Sequence, residues 1–189
     1  MKKVITDNYG RVFNYIRMAV VEKCNLRCLY CMPEKGAQFK SIDKLLTVDE
    51  ILRVIKVSAS LGVSKVRFTG GEPLLRKDII DIIRATREIN SIDSIHLTTN
   101  GILLDRYLDE LIAQKINGIN ISLDTLEIEK FKLISRRDKL EKILKNIHKA
   151  IELGIPNIKL NMVVLRDFNS DEIINFVEFT KASMGTSSQ

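Results

Sequence analysis

The three cysteines of this chain fall within eight residues, Cys24-Asn25-Leu26-Arg27-Cys28-Leu29-Tyr30-Cys31, and no fourth occurs among its 189 residues. Thiolates are ligands for zinc and for iron–sulfur clusters, and such clusters are ordinarily held by four of them. Three thiolates can hold a four-iron cluster and leave one iron without a protein ligand. A reactive metal site keeps such a position open, whereas a structural site closes it. Two other readings of the triplet are a partial zinc site and a set of reactive surface thiols. Zinc prefers four ligands, and the chain's only histidines are His96 and His148.

Gly70-Gly71-Glu72-Pro73 is a second concentration of chemistry. Two glycines admit close backbone approach and positive φ, Glu72 offers an anionic acceptor for an amino group, and Pro73 fixes the turn. By themselves these residues read equally as an ordinary strand-to-helix turn. A third group is cationic. Arg17, Arg67 and Lys159 lie inside strand-like segments, where a charge is costly unless it faces a polar cavity. Three cations from three strands directed into one cavity suit a triphosphate, and each alone also reads as an exposed or ion-paired side chain. Asp124 suits a strand-end arginine as well as a ribose. His96 reads as structural. Arg136-Arg137-Asp138 reads as a solvated turn with Asp138 capping the next helix.

The elements that must position these groups alternate in type. Strand-like runs at 15–21, 66–69, 94–98, 118–122 and 158–164 are interleaved with helical patterns at 48–61, 79–88, 105–114, 139–153 and 171–181. Thr47 with Glu50 is a capping box at the start of the first helix, Gly62 follows its end, and Ser170 is the expected N-cap of the last. Strand–helix alternation repeated five times implies parallel strands with right-handed crossovers. The strands read as apolar runs, covered by helices on one face and filled by side chains on the other. A doubly wound open sheet and an incomplete β/α barrel share this pattern. In a barrel, chemistry sits at the C-terminal strand ends. Those ends here carry the cysteines, Gly70-Gly71-Glu72-Pro73, Thr98-Thr99-Asn100-Gly101 and Ser122-Leu123-Asp124.

Together the cysteine triplet and the Gly-Gly-Glu-Pro turn resemble the radical S-adenosylmethionine (SAM) superfamily. The resemblance implies an α/β fold of the incomplete TIM-type barrel, with about five parallel strands and outer helices. It also implies a 4Fe–4S cluster on Cys24, Cys28 and Cys31. SAM would chelate the open iron and be cleaved by one electron to a 5′-deoxyadenosyl radical that abstracts hydrogen from a substrate. Further segments are similar to the MoaA-type GTP 3′,8-cyclase family of molybdenum cofactor biosynthesis. They are Cys31-Met32-Pro33-Glu34-Lys35-Gly36, Leu46-Thr47, Val66 to Leu74, Leu97 to Gly101, Asn120 to Asp124, Lys159-Leu160-Asn161 and the opening Asp7-Asn8-Tyr9-Gly10-Arg11. Carried over by position, the resemblance implies SAM contacts at Tyr30 (through its backbone), Gly71, Glu72 and Ser122. It implies GTP contacts at Arg17, Arg67, Thr98 and Lys159. It further implies a flavodoxin- or ferredoxin-type electron donor and a downstream MoaC-type cyclic pyranopterin monophosphate synthase.

The sequence departs from that family after Phe179. The expectation is that the family's C-terminal region, with its second three-cysteine cluster and double-glycine tail, is absent. The domain reading is a radical SAM core at 1–181 with a flexible tail at 182–189. Alternatives to the cyclase reading are a radical SAM enzyme acting on another substrate and a non-catalytic remnant that binds cluster or SAM. A strand-five edge left open would recruit a second copy.

The bulk properties set outer bounds. With 45% hydrophobic and 29% charged residues the chain can bury a core and stay in solution. No apolar run reaches the ~20 residues of a membrane span, and the opening two lysines lead into no apolar signal core. The expectation is a cytoplasmic protein without membrane contact, its clustered thiols suited to metal. A net charge of +6 suits an anionic small molecule. No aromatic-interleaved basic stripe points to nucleic acid.

Overall fold

A computed structural model describes residues 4–33, 35–39 and 44–185, with side chains through residue 182. Five strands form one parallel sheet in sequence order: β1 (Tyr15–Ala19), β2 (Lys65–Thr69), β3 (Ser94–Thr99), β4 (Gly118–Ser122) and β5 (Ile158–Asn161). Between them run α1 (Val48–Ser60), α2 (Ile79–Arg87), α3 (Leu108–Ala113), α4 (Ile128–Ser135) and α5 (Leu140–Glu152), and α6 (Ile173–Gly185) follows β5. The unreversed strand order is that of an incomplete barrel; a doubly wound sheet would reverse it at a switch point.

The strands alternate more cleanly than their sequences suggest. Val66 and Phe68 of β2, Ile95 and Leu97 of β3, and Ile119 and Ile121 of β4 are fully buried beneath the helices. The intervening positions, Arg67, Thr98, Asn120 and Lys159 among them, face the concave side. The expectation of a side-chain-filled second face therefore changes: the inner face is polar and partly open.

The helical pattern is realised at α1, where Thr47 and Glu50 form the capping box, and at α5, whose Leu140, Ile143 and Ile147 are buried. The pattern at 105–114 resolves into a 3-10 turn at Leu104–Arg106 and the shorter α3. Asp138 does not cap α5; it lies 3.5 Å from Lys132, and Lys139 is the capping position. Ser170 opens a 3-10 turn, and Asn169 preceding it takes the capping position; both Asn169 and Glu172 are buried there. Strand β5 ends at Asn161 because the backbone beyond bonds to side chains: Val163 N–H donates to Asp124 and Leu165 N–H to Asn169. α6 extends through Gly185, so the expected tail begins as helix. Residues 186–189, residues 1–3 and Glu34 lie outside the described residues. Among the described residues no helix is long and apolar enough to cross a membrane.

Candidate active site

The cysteine loop leaves β1 and is braced by a helix with no counterpart in the sequence reading. The backbone N–H groups of Arg27 and Leu29 donate to the carbonyls of Ser135 (3.1 Å) and Ile134 (2.9 Å) at the C-terminus of α4. Those carbonyls are otherwise orphaned at a helix end. Arg136, in the left-handed region at φ 53°, donates from its guanidinium to the carbonyls of Arg27 and Met32, both at 3.1 Å. The charged turn at 136–138 is thus a clamp on the loop that bears Cys28 and Cys31. The sequence signal for α4 is the spacing of Phe131 and Ile134, both buried.

The Gly-Gly-Glu-Pro turn lies against the start of the same loop. Gly71 N–H donates to Val21 O and Glu72 N–H to Lys23 O, each at 2.8 Å. A Cβ on Gly71 would stand 2.3 Å from Lys23 O and 2.4 Å from Glu22 O, so only glycine permits this approach. Glu72 is completely buried. Its carboxylate accepts from Leu74 N–H (3.0 Å), the Thr99 hydroxyl (2.8 Å) and Asn100 N–H (2.7 Å), which fastens the β2 turn to the β3 turn. Burial pushes its pKa above the usual carboxylate value, against those three bonds. The side chain is committed to protein donors, so the segment it holds, rather than its carboxylate, faces the mouth of the barrel.

All three thiols are free; Cys24 and Cys28 are half-buried and Cys31 is exposed. Burial raises the pKa of Cys24, assisted by Glu72 and Cys31. Burial also pushes Cys28 up to about 11, assisted by Asp124, Cys24 and Cys31. Cys24 and Cys28 therefore resist ionisation until a cation supplies the opposing charge. Cys24 Sγ already accepts from Leu26 N–H (3.4 Å) and from the Asn100 amide (3.7 Å), as a metal-bound thiolate would. Among the described residues no group of three His, Cys, Asp or Glu side chains forms a ready-made metal site. The donor set fits an iron–sulfur cluster. The zinc alternative lacks its fourth ligand from either histidine: His96 stands inside β3, bonded to Ser94 at 2.7 Å, and His148 packs edge-on against Phe179.

Tyr30 donates through its hydroxyl to Asp124 at 2.7 Å. Burial and that carboxylate raise its pKa. Asp124 is thereby engaged with Tyr30 and with Val163 N–H, not with an arginine. Ser122, at the end of β4, is the register partner of Asn161.

The four positions assigned to GTP occupy one concave face. Arg17 pairs in register with Arg67, and Thr98 with Asn120, which pairs with Lys159. Arg67 and Lys159 line a cavity of about 340 Å³, where residues that sequence reasoning did not assign to it, Lys65 and His96 among them, join them. Arg17 is exposed beside this cavity, and Thr98 stands higher along β3. Burial, followed by the charges of Lys65, Arg67 and Lys159, lowers His96 to about 4, so it is neutral at neutral pH. Among the described residues, Arg67 Nε and Thr98 Oγ1 are buried without a hydrogen-bond partner. Such groups are rare in native structures and call for a ligand or water.

The profile of the Radical SAM superfamily matches residues 18–180. The chain is 46% identical over 180 residues to molybdenum cofactor biosynthesis protein 1 of Dictyostelium discoideum, covering 95% of this chain and 29% of that protein. It is 45% identical over 175 residues to GTP 3′,8-cyclase of Clostridium botulinum (strain Okra / Type B1), covering 93% and 55%. It is 45% identical over 179 residues to GTP 3′,8-cyclase of Listeria monocytogenes, covering 95% and 54%. The chain spans about half or less of the length of the curated relatives it matches. Its fold is shared by Streptococcus suis SuiB bound to S-adenosylmethionine (TM-score 0.74, 21% identity, 90% of this chain and 37% of that one). Native anSMEcpe with bound AdoMet gives a TM-score of 0.68 at 18% identity, covering 89% and 49%. A cysteine triplet at the mouth of an incomplete five-stranded parallel barrel, matched over residues 18–180, means that the chain belongs to the radical SAM superfamily.

Proposed function

We propose that this chain is the SAM-cleaving barrel of a GTP 3′,8-cyclase of molybdenum cofactor biosynthesis. The observation that carries the reading is the pair of buried, unpartnered groups, Arg67 Nε and Thr98 Oγ1, on the cationic inner face below the cysteine loop. Polar groups left without partners in the free protein suit a bound polyanion. Identity of 45–46% to GTP 3′,8-cyclases and molybdenum cofactor biosynthesis proteins supports the choice of nucleotide.

Cys24, Cys28 and Cys31 would hold the 4Fe–4S cluster, with SAM on the open iron near Tyr30, Gly71, Glu72 and Ser122. When bound and reduced, these groups supply one-electron hydrogen-atom abstraction, directed here at the ribose C3′ of GTP. The chain's own residues do the positioning. Arg17, Arg67 and Lys159 offset the triphosphate charge, with Arg able to engage two phosphate oxygens at once. The Thr98 hydroxyl gives a directional bond on the same face. Neutral His96 adds no positive charge and is a poor acid near pH 7. Arg136 and the end of α4 keep the cysteine loop over the barrel mouth.

The reading extends to a cytoplasmic flavodoxin- or ferredoxin-type electron donor and to a pyranopterin synthase that consumes the product. It extends also to a second copy of the chain along the outer edge of β5, beside the apolar groove of Ile147, Ile151, Leu160 and Phe179. The test is 5′-deoxyadenosine formation by the anaerobically reconstituted, reduced protein with SAM, with and without GTP. Formation that rises with GTP supports the reading. A full cluster without product makes the chain a binding remnant, and product indifferent to GTP points to another substrate.

A further inference from the structure

Asn100 links three motifs that are far apart in sequence. Its backbone N–H is gripped by the buried Glu72 carboxylate at 2.7 Å. Its side-chain Oδ1 accepts from Ile102 N–H at 3.1 Å. Its Nδ2 donates to Asn25 Oδ1 at 2.6 Å and reaches Cys24 Sγ at 3.7 Å. The residue is buried. The Ile102 bond fixes which end of the amide is oxygen, so the NH2 group must face the cysteine loop. Asn25, immediately after Cys24, holds that NH2 group in place. The backbone N–H of Leu26 approaches the same sulfur at 3.4 Å. Cys24 is thus a thiol met by two N–H donors, one of them a rigidly held side chain from the end of β3.

Donors to cluster sulfurs favour the more negatively charged, reduced state and so raise the reduction potential. Resting on the cluster-binding role given above to Cys24, we propose that Asn100 is a positioning residue whose amide donates to the Cys24 sulfur and sets how readily the bound cluster accepts its electron. Its role lies in the cluster's electron affinity, distinct from any contact with SAM or nucleotide. The Glu72–Asn100–Cys24 chain would then make the Gly-Gly-Glu-Pro turn part of the redox machinery through two hydrogen bonds.

The experiment is a spectroelectrochemical titration of the anaerobically reconstituted full chain without SAM or GTP, after iron and sulfide content have been measured. Wild type is compared with Asn100→Ala and Asn100→Ser. Serine keeps an acceptor for Ile102 N–H but is too short to reach the sulfur. The expected result is full cluster loading in both variants with a more negative midpoint potential. The reduction equilibrium should be less favourable by roughly threefold to tenfold, up to about 59 mV for one electron. Asn25→Ala removes one acceptor of the NH2 group but keeps the donor, whose amide the Ile102 bond still orients, and should stay nearer to wild type than either. Loaded variants with the wild-type potential would overturn the proposal. So would failure of both Asn100 variants to load, which would make the residue a structural clamp alone. Failure of the wild-type chain to hold a cluster would instead remove the underlying cluster assignment.

Discussion

The Tyr30 hydroxyl and the Asp124 carboxylate, 94 residues apart in sequence, are joined by a 2.7 Å hydrogen bond between the cysteine loop and the end of β4. Asp124 extends the link to β5 by accepting from Val163 N–H at 2.9 Å. Tyr30→Phe keeps the ring and removes this tie. Because Tyr30 is half exposed, the expected loss of stability is about 1 kcal/mol or less. The clearer effect should be faster amide hydrogen exchange at Leu29 and Met32. Unchanged exchange would mean that α4 and Arg136 hold the loop alone.

Arg136 is the complementary case. Arg136→Gly relieves the left-handed backbone but deletes the two bonds to Arg27 O and Met32 O. Relief of the left-handed backbone, about 1–2 kcal/mol for a non-glycine residue, is set against the two lost bonds and the roughly 0.5–1 kcal/mol of chain entropy that glycine costs, leaving global stability little changed. Exchange protection of the cysteine loop and its iron loading should both fall. A variant that loads iron as wild type does would show that the clamp is dispensable.

Gly71→Ala places a methyl group against two backbone carbonyls that cannot rotate away. Overpacking of this kind costs about 1–3 kcal/mol, visible in a urea melt. The shift must occur between the β2 turn and Lys23, next to Cys24, so cluster loading should decline with stability. A melt that matches wild type would show that the turn can part from the loop.

Arg67→Ala separates binding from folding. Its Nε has no hydrogen-bond partner among the described residues and its guanidinium lies 5.7 Å from the Tyr15 ring centroid, a contact worth about 0.5–1 kcal/mol, so the apo chain should lose little stability. Affinity for GTP in equilibrium dialysis should fall about tenfold to a hundredfold, the worth of a charged hydrogen bond. Equal affinity in the two proteins would remove the nucleotide from the inner face.

His96 makes stability depend on pH. Its folded pKa of about 4 lies below the ordinary 6.5, so the folded chain binds fewer protons than the unfolded chain between those values. Stability is therefore fully present above pH 6.5 and declines as pH falls toward 4, by at most about 3 kcal/mol. His96→Gln should flatten that part of a urea-unfolding series taken from pH 4 to 7. Parallel curves for the two proteins would contradict the assignment.

The sequence by itself determined the local chemistry and the order of elements. The cysteine spacing, the Thr47–Glu50 cap and the strand limits Gly118–Ser122 depend on neighbours within a few residues, and periodicity reads such neighbours directly. Only the tertiary structure decided what each polar group bonds to. Glu72, offered by its motif as a ligand for an amino group, is taken up by Leu74, Thr99 and Asn100. Arg136, placed in a solvated turn by its charge, grips the cysteine loop 104 to 109 residues away. The apolar residues of the fifth strand continue to 164, yet β5 stops at Asn161, where Asp124 and Asn169 capture the backbone. A hydrogen bond requires two groups within about 3 Å, and parallel crossovers bring together residues that no local pattern connects.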